Sequence, residues 1–391
     1  LNALRHPSIV RHVAHGVTDS GDAYLAMDWL EGEDLSARLT RGPLCEIETI
    51  TLAQRVAAAL AFAHAHGVVH RDLKPANIFL RHGDVAQATV LDFGIARRLS
   101  TLNRTGTGHI LGTPGYMAPE QARGDGQIDA RADVFALGCV LFECIAGRPV
   151  FCGDHALAIL AKILFEEVPR IRDVVPTVRW DFDALIATML AKDPVMRPED
   201  GAAVVRALEL AITRSTESGG NGLAPTATSR PVALTDGEKR LLSLVVAMPM
   251  YRAEIQAHVD TIPAWPGTER RLAVENAAAS LEARVDELAN GALLLSIAGE
   301  RHPTDQAARA ARCALRLRAI LPDAAIALAT GRAEARGKLP VGEIVDRVAA
   351  LLEQATKNQA EQPGCIVVDE ATQSLFDLRF EVVAETGVYR L

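Results

Sequence analysis

Three polar motifs follow one another in the first third of the chain, and they constrain its fold more than any other feature. They are HRDLKPANIFL at 70–80, VLDFGIA at 90–96 and GTPGYMAPE at 112–120. One such motif alone would be weak evidence for a function, but three in close succession indicate one shared site. The sequence therefore predicts loops that bring Asp, Asn and Lys side chains together at one catalytic site.

A helix is predicted directly upstream of the first motif. Apolar residues recur there at helical spacing, and Gly67 stands where such a helix would stop. Val68 and Val69 are then expected to form a two-residue strand that leads into the motif. The residues that carry the helical pattern are Ala53, Val56, Ala57, Leu60 and His64.

Composition excludes several classes of function. A length of 391 residues allows two or three domains. The net charge of -8 argues against broad nucleic-acid binding, because a surface that follows phosphates needs an excess of Lys and Arg. The six cysteines show no metal or disulfide spacing, and no apolar run reaches the roughly 18 residues of a membrane span. We therefore expect a cytoplasmic protein without nucleic-acid or membrane partners.

Two local patterns have competing interpretations. His64, His66 and His70 invite a metal site, but His70 belongs to the first motif. The other two lie at a helix end with no Cys or carboxylate at ligand spacing, so metal binding is disfavoured. Four arginines on the helix predicted for 305–320 could bind nucleic acid, but a solvated basic face is favoured. These arginines are Arg309, Arg312, Arg316 and Arg318.

A polar segment, RSTESGGNGLAPTATSRPVA, divides the chain. It is rich in Ser, Thr, Gly and Pro and poor in large apolar residues, which is typical of a linker. Beyond it, LLSLVVAM and ALLLSIAG are predicted strands, LEARVDELAN a charged helix end, and DQAARAARCALRLRAIL an amphipathic helix. We predict a first domain over 1–213, a linker over 214–235, and an α/β or α+β domain over 236–391.

The three motifs resemble the catalytic loop, magnesium motif and substrate loop of protein kinases, in the form of bacterial Hanks-type serine/threonine kinases. The resemblance implies a mainly α kinase C-lobe with a remnant of the N-lobe, and Mg-ATP as cofactor. It also implies that Asp72 accepts the proton of a protein Ser or Thr hydroxyl and that Lys74 reaches the γ-phosphate. Asn77 and Asp92 would hold Mg²⁺ through oxygen atoms.

Supporting positions match the same family. The resemblance implies that Arg71 pairs with a phosphorylated activation segment, in which Thr105 and Thr107 are the preferred phosphosites. Thr113 resembles the threonine of the substrate loop that contacts the catalytic loop.

Two structural roles are also implied by the resemblance. Glu120 and Arg197 would form a buried ion pair, and Asp133 would anchor the backbone of the catalytic loop.

The opening of the chain resembles the end of a regulatory helix, two strands and a hinge. Met27 falls at the gatekeeper position, Asp28 to Leu30 would face adenine, and Phe79 would form the floor of the adenine pocket. The glycine-rich loop and the strand lysine of the family are expected upstream of Leu1. We therefore expect little phosphoryl transfer and weak ATP binding from this chain alone.

The region from 236 to 391 is similar in order and apolar pattern to class III adenylate and guanylate cyclase domains, which implies a ferredoxin-like α+β fold. Met248 and Asn290 stand where the family has metal-binding aspartates, and Asp346 and Ala350 where it has an asparagine and an arginine. A catalytically dead domain is therefore expected, because a thioether is a poor ligand for Mg²⁺.

Two roles compete for this second domain. A sensing or dimerisation module, which could form a homodimer, is favoured over an inert spacer. For the whole chain the prediction is a serine/threonine protein kinase with an inactive cyclase-like regulatory domain. The alternative is a non-catalytic signalling scaffold.

Overall fold

The chain forms two regions, called here the N-terminal region (5–217) and the C-terminal region (239–391). The computed structural model describes residues 5–18, 22–93, 114–125, 127–153, 155–217, 239–249, 267–288, 290–298, 302–334, 343–358, 365–376, 379–385 and 388–391.

Helices dominate the described part of the N-terminal region. In chain order they are α1 (Leu35–Leu39), α2 (Glu46–Ala65), α3 (Pro119–Arg123), α4 (Arg131–Ala146), α5 (Ala156–Phe165), α6 (Ile171–Val174), α7 (Trp180–Met189) and α8 (Gly201–Glu217).

Two small sheets accompany these helices. Strands β1 (His12–Val17) and β2 (Ala23–Met27) form an antiparallel hairpin. Strands β3 (Gly32–Asp34), β4 (Ile78–Arg81) and β5 (Ala88–Val90) form an antiparallel sheet in that spatial order. The second sheet carries the ends of two of the three polar motifs, and so it fixes their relative position.

Helix α4 is the centre of the N-terminal region. Its residues from Ala132 to Ile145 are almost all buried, and Phe135 and Phe142 are among the largest fully buried side chains. A helix that is apolar on every side must be enclosed by other elements. It ends at Gly147, whose φ of +69° gives the left-handed conformation that favours glycine.

Helices α2 and α8 approach each other closely at Gly201. A Cβ placed on this glycine would lie 2.4 Å from the backbone nitrogen of Ala61 and 2.8 Å from the carbonyl oxygen of Ala57. The helix predicted upstream of the first motif is confirmed as α2. Val68 and Val69 do not form a strand; the Val68 N–H instead closes the end of α2 by donating to the Ala63 carbonyl at 3.0 Å.

The C-terminal region is a seven-stranded sheet with helices on both faces. Its strands are β6 (Lys239–Pro249), β7 (Arg284–Glu287), β8 (Leu293–Ala298), β9 (Ala324–Glu334), β10 (Ile366–Val368), β11 (Val383–Glu385) and β12 (Val388–Arg390). They lie in the spatial order β11-β12-β10-β9-β6-β8-β7. Its helices are α9 (Gly267–Ala279), α10 (Pro303–Ile320), α11 (Glu343–Asn358) and α12 (Glu370–Gln373).

The first strands and helices of this region follow a β-α-β-β-α-β order. Strand β6 is antiparallel to both β8 and β9, and β7 is antiparallel to β8. Apolar residues of α9 and α10 pack in one core with one set of strand residues, whereas α11 shares its core with the opposite set. The region is therefore a mixed α/β fold.

Two expectations for the C-terminal region were wrong. LEARVDELAN is not a helix end: α9 stops at Ala279, and β7 pairs through its backbone with β8 at the sheet edge. The arginines of α10 do not share one solvated face, because Arg309 is buried and donates to the Leu281 carbonyl and to the Glu282 carboxylate. In the part of the chain that is described, no helix combines the length and apolar character needed to cross a membrane.

Candidate active site

The loop of the first motif is fastened to helix α4 by one buried carboxylate. Asp133 accepts hydrogen bonds from the backbone N–H groups of His70 and Arg71, both at 2.7 Å. It is fully buried in the first turn of α4. Charged acceptors make strong hydrogen bonds to backbone donors, so this carboxylate holds the loop in one conformation.

That conformation includes a residue outside the usual backbone regions. Arg71 has φ = +66°, which is uncommon for a residue with a side chain. Such strain persists only where the surroundings enforce it. Here the Asp133 carboxylate and the Gln121 amide, which donates to the Arg71 carbonyl at 2.8 Å, hold the peptide from both sides.

Asp72, Lys74 and Asn77 meet at the exposed side of the loop. Lys74 Nζ lies 2.8 Å from Asp72 Oδ2. The Asn77 amide nitrogen donates to the Asp72 carbonyl at 2.7 Å and to its carboxylate at 3.2 Å. The Asp72 side chain is about half exposed, so its carboxylate can be reached by a large substrate. The structure therefore brings together three of the residues predicted from the sequence.

Asp92 is brought to the same place by strand pairing. The N–H of its neighbour Leu91 donates to the Asn77 carbonyl at 2.9 Å, and the Leu91 carbonyl lies 2.8 Å from His70 Nε2. Asp92 itself is exposed and has φ = +45°. His70, buried at the centre of the loop, thus sets the distance between the first and second motifs.

The donor atoms at this position fit Mg²⁺. The metal prefers oxygen ligands and is usually held by one or two protein groups together with substrate phosphates and water. Because the Asn77 nitrogen is engaged with Asp72, the Asn77 Oδ1 atom is left to face a ligand, and Asp92 adds a carboxylate. Among the described residues, no three His, Cys, Asp or Glu side chains cluster as an all-protein metal site.

The third motif is attached to the helical core by two buried contacts. Glu120, on α3, forms a bidentate ion pair with Arg197 at 2.8 and 2.9 Å, and both residues are more than nine-tenths buried. The Tyr116 hydroxyl donates to the Glu143 carboxylate at 2.6 Å. Burial raises the pKa of both Tyr116 and Glu143. The predicted ion pair is thus present and fixes the motif beside the catalytic loop.

The residues expected around adenine lie on strands β2 and β4 and in the segment that joins β2 to β3. Met27 is the last residue of β2 and is 38% exposed. The backbone N–H of Asp28 donates to the Arg11 carbonyl. Leu30 is half-buried. Phe79 is half-buried on β4, where it pairs with Asp34 of β3. Phe79 lies two residues after Asn77 on the same segment. Met27 instead lies on the separate β1–β2 hairpin.

Three predicted residues lie outside the described part of the chain. They are Thr105, Thr107 and Thr113, and their roles stay predictions.

Two residues with a clear place at the site were missed from the sequence. His64 Nδ1 accepts from the Gly201 N–H at 3.1 Å, so its Nε2–H is the group that donates to Asp133 at 2.8 Å. Gln121 joins α3 to the Arg71 carbonyl. His64 had been considered only as a metal ligand or helix end, and nothing in its neighbourhood along the chain signals a partner 69 residues away.

Comparison with known proteins places this site in a family. The protein kinase domain family matches residues 1–207. Serine/threonine-protein kinase PknB of Mycolicibacterium smegmatis is 38% identical over 266 residues, covering 64% of this chain and 39% of PknB. Serine/threonine-protein kinase PrkC of Bacillus subtilis is 39% identical over 199 residues, covering 51% of this chain and 30% of PrkC.

The chain thus spans less than half the length of these curated relatives. Among solved structures, the kinase domain of Mycobacterium tuberculosis PknI aligns with a TM-score of 0.42 at 25% identity, over 53% of this chain and 72% of that one. The family match covers more than half of the chain. Residues 1–207 are a bacterial Hanks-type serine/threonine protein kinase domain, and the chain belongs to the protein kinase family.

Proposed function

We propose that the protein transfers the γ-phosphoryl group of Mg-ATP to Ser or Thr hydroxyls of other proteins. The observation that carries this proposal is the meeting of Asp72, Lys74 and Asn77 on a loop held by Asp133. Phosphoryl transfer depends mainly on positioning and on charge stabilisation, and this loop supplies both.

Each side chain has a distinct role in the proposed mechanism. Asp72 orients the acceptor hydroxyl and takes its proton. Lys74, now 2.8 Å from Asp72, turns to the transferred phosphoryl group and offsets its negative charge. Met27, Asp28, Leu30 and Phe79 surround the adenine.

Asn77 and Asp92 are the residues proposed to hold magnesium. When bound, the ion would neutralise the charge of the phosphate oxygens and orient the γ-phosphoryl group for attack at phosphorus. The Asn77 amide keeps its hydrogen bond to the Asp72 carbonyl, so the same side chain ties the metal position to that of the base. This link explains why the two residues are five positions apart on a single loop.

Control by phosphorylation is proposed for the segment between the second and third motifs. Thr105 and Thr107 are the proposed phosphosites and Arg71 is their proposed partner. Thr113 is proposed to contact the catalytic loop. The exposed guanidinium of Arg71 belongs to the residue whose backbone Asp133 holds, so a phosphate bound there would act on the catalytic loop directly.

The proposed activity is tested with radiolabelled ATP and a generic basic protein substrate. The assay uses residues 1–391 and a longer form that includes any coding sequence upstream of Leu1. Asp72→Asn should lower the rate by about 10²- to 10⁴-fold, since a positioned base contributes that much. Asp84→Asn, at an exposed aspartate outside the site, is the matched control. Equal labelling of both variants would refute the role of Asp72, and no labelling of any folded form would favour the scaffold.

The C-terminal region is proposed to be a degenerate cyclase-like domain with a ferredoxin-like core. The β-α-β-β-α-β order, with β9-β6-β8-β7 adjacent, supports this proposal. Met248 lies near the end of β6, and the Asn290 side chain accepts from the Ala292 N–H. Neither residue offers the carboxylate that two-metal chemistry requires.

A regulatory or dimerisation role is proposed for this region. Sedimentation of the full chain tests it: self-association would support the homodimer, and a monomer at all concentrations would favour the spacer.

A further inference from the structure

Helix α5 is apolar on every side, and it is enclosed by elements from both regions. The four consecutive residues from Leu157 to Leu160 are all buried, so the burial extends around the helix axis. Helix α3 and the turn at Pro114–Tyr116 cover one side, and α11 of the C-terminal region covers another. One continuous cluster of buried residues contains both α5 and α11. An all-round apolar helix needs such a cover, because exposed apolar surface is costly.

Charged residues border this contact. Lys162 of α5 lies 3.0 Å from a carboxylate oxygen of Asp346 of α11, and its side chain is only 15% exposed. Lys162 also donates to the Cys152 carbonyl at 2.9 Å. A Cβ on Gly153 would lie 3.3 Å from Asp346, so a glycine at this position allows the close approach. At the other end, His155 lies 3.2 Å from Glu353.

The carbonyl groups at the end of α5 are bound by a half-buried lysine. Lys192 donates to the carbonyls of Ile163 and Lys162, and its ammonium lies 4.3 Å from the centre of the Phe151 ring. These bonds satisfy groups that a helix leaves unpaired at its C-terminus. Any shift of α5 therefore moves Lys192.

From Lys192 the contacts continue to the catalytic loop. Arg197 donates to the Lys192 carbonyl at 3.1 Å and pairs with Glu120. The next residue, Gln121, donates to the Arg71 carbonyl at 2.8 Å. The path runs through buried, hydrogen-bonded groups, which transmit displacement better than exposed ones because interiors are close-packed.

We propose that α5 is the docking site for α11 of the same chain, and that docking holds the catalytic loop in its observed conformation. The docking itself does not depend on the kinase activity, but its consequence for catalysis rests on the proposed kinase function. The occupant is taken from the same molecule because α11 sits on α5 and because the 22 residue steps from Glu217 to Lys239 can span up to about 70 Å. A second copy of the chain is the competing occupant.

The test of docking uses the full chain with a specific protease site inserted between residues 218 and 238. After cleavage, the two halves should stay associated on size exclusion. Asp346→Lys and Lys162→Asp should each weaken their association by about tenfold or more, because each places like charges together at a part-buried site. The double exchange should recover most of the loss. Asp323→Lys, an exposed change on the opposite side of the sheet from α11, is the control.

Several outcomes would overturn docking. They are halves that separate in the unmodified protein, an Asp346→Lys effect no larger than that of Asp323→Lys, and a dimer of the intact chain that Asp346→Lys dissociates, which would make a second copy the occupant of α5. If Asp346→Lys does not fold, Asp346→Asn should still weaken the association by about threefold through loss of the ion pair.

Hydrogen exchange of the uncut chain tests the second half of the proposal. The amides of His70 and Arg71 should exchange about fivefold faster or more in Asp346→Lys than in Asp323→Lys, because these amides are held by the loop conformation. Unchanged exchange in a variant that has lost docking would overturn the transmission to the loop. Neither measurement uses phosphoryl transfer, so a failure of the proposed kinase activity would leave both results intact.

Discussion

At the scale of single residues, the conformation of the site depends on a few buried polar groups rather than on the exposed residues proposed to be catalytic. Asp133 is the clearest case, since it receives hydrogen bonds from His64, His70 and Arg71. Each of these groups is a hydrogen-bond donor, so both side-chain oxygens at position 133 must act as acceptors. The catalytic loop therefore has its conformation from a side chain that no substrate reaches.

Replacing Asp133 by Asn should destabilise the protein by about 1–3 kcal/mol, the cost of leaving a buried donor unpaired. One oxygen becomes an NH₂ group and faces another donor. His64 cannot compensate by moving its proton, because its Nδ1 already accepts from Gly201. Urea unfolding measures the change, with Asp125→Asn, at an exposed loop position, as the control. Equal stability of the two variants would contradict the role given to Asp133.

Arg197→Met should cost about 3–5 kcal/mol, since it leaves the Glu120 carboxylate buried without a counter-charge. Arg197→Lys keeps the charge but loses the bidentate hydrogen bonds and the stacking over Phe135. It should therefore lower the free energy of unfolding by less than Arg197→Met does. The double change Glu120→Met with Arg197→Met should be less harmful than Arg197→Met alone. Unfolding midpoints in guanidinium chloride test this order, and a double variant worse than the single one would refute it.

These residues also show how far the sequence alone could lead. The catalytic set, the Glu120–Arg197 pair and the anchor Asp133 followed from motif resemblance. His64 did not, because its partner is distant in sequence. The strand β7 was mistaken for a helix end, since a charged edge strand such as RVDE lacks the apolar residues that identify buried strands. The pairing of Lys162 with Asp346 has no local signal at all.

At the scale of elements, helix packing is closest where side chains are smallest. Gly201→Ala should destabilise the protein by about 1–3 kcal/mol, as expected for overpacking, because the new methyl group would meet the backbone of α2. Ala202→Gly, one position along and half-buried, is a control that removes a methyl group instead of adding one. Thermal unfolding measures both. A neutral Gly201→Ala would mean that α2 and α8 separate without cost.

The lysine that binds the end of α5 should make stability depend on pH. Burial lowers the pKa of Lys192 to about 7, whereas an unfolded lysine titrates near 10.4. Between these values the unfolded chain binds more protons, so the free energy of unfolding rises with pH, by up to about 1.4 kcal/mol per pH unit. Below pH 7 both states are protonated and the slope vanishes.

Lys192→Met removes this titration and retains most of the side-chain volume. The difference in stability between the unmodified protein and Lys192→Met should therefore grow, in favour of the unmodified protein, from pH 6.5 to pH 8.5. Urea midpoints at the two pH values measure it. A difference that stays constant would show that Lys192 keeps its ordinary pKa.

At the scale of the whole molecule, the two regions share one core. The same cluster of buried residues contains Phe135 of α4, Leu160 of α5 and Leu352 of α11. We expect calorimetry to give one cooperative transition, with equal calorimetric and van't Hoff enthalpies. Leu352→Asp should lower the unfolding temperature and also release the amides of α5 to exchange. Two separate transitions in the unmodified chain would contradict a shared core.

The shared core also bears on how the gene can be divided for laboratory production. A polypeptide that stops near Glu217 would lack α11, and the side of α5 that α11 covers would face water. Exposed apolar patches of this kind drive precipitation. We expect the shortened product to collect in inclusion bodies while the longer one remains in the supernatant. The junction between the regions, which composition alone marks as the natural place to cut, is thus a poor boundary for producing this protein.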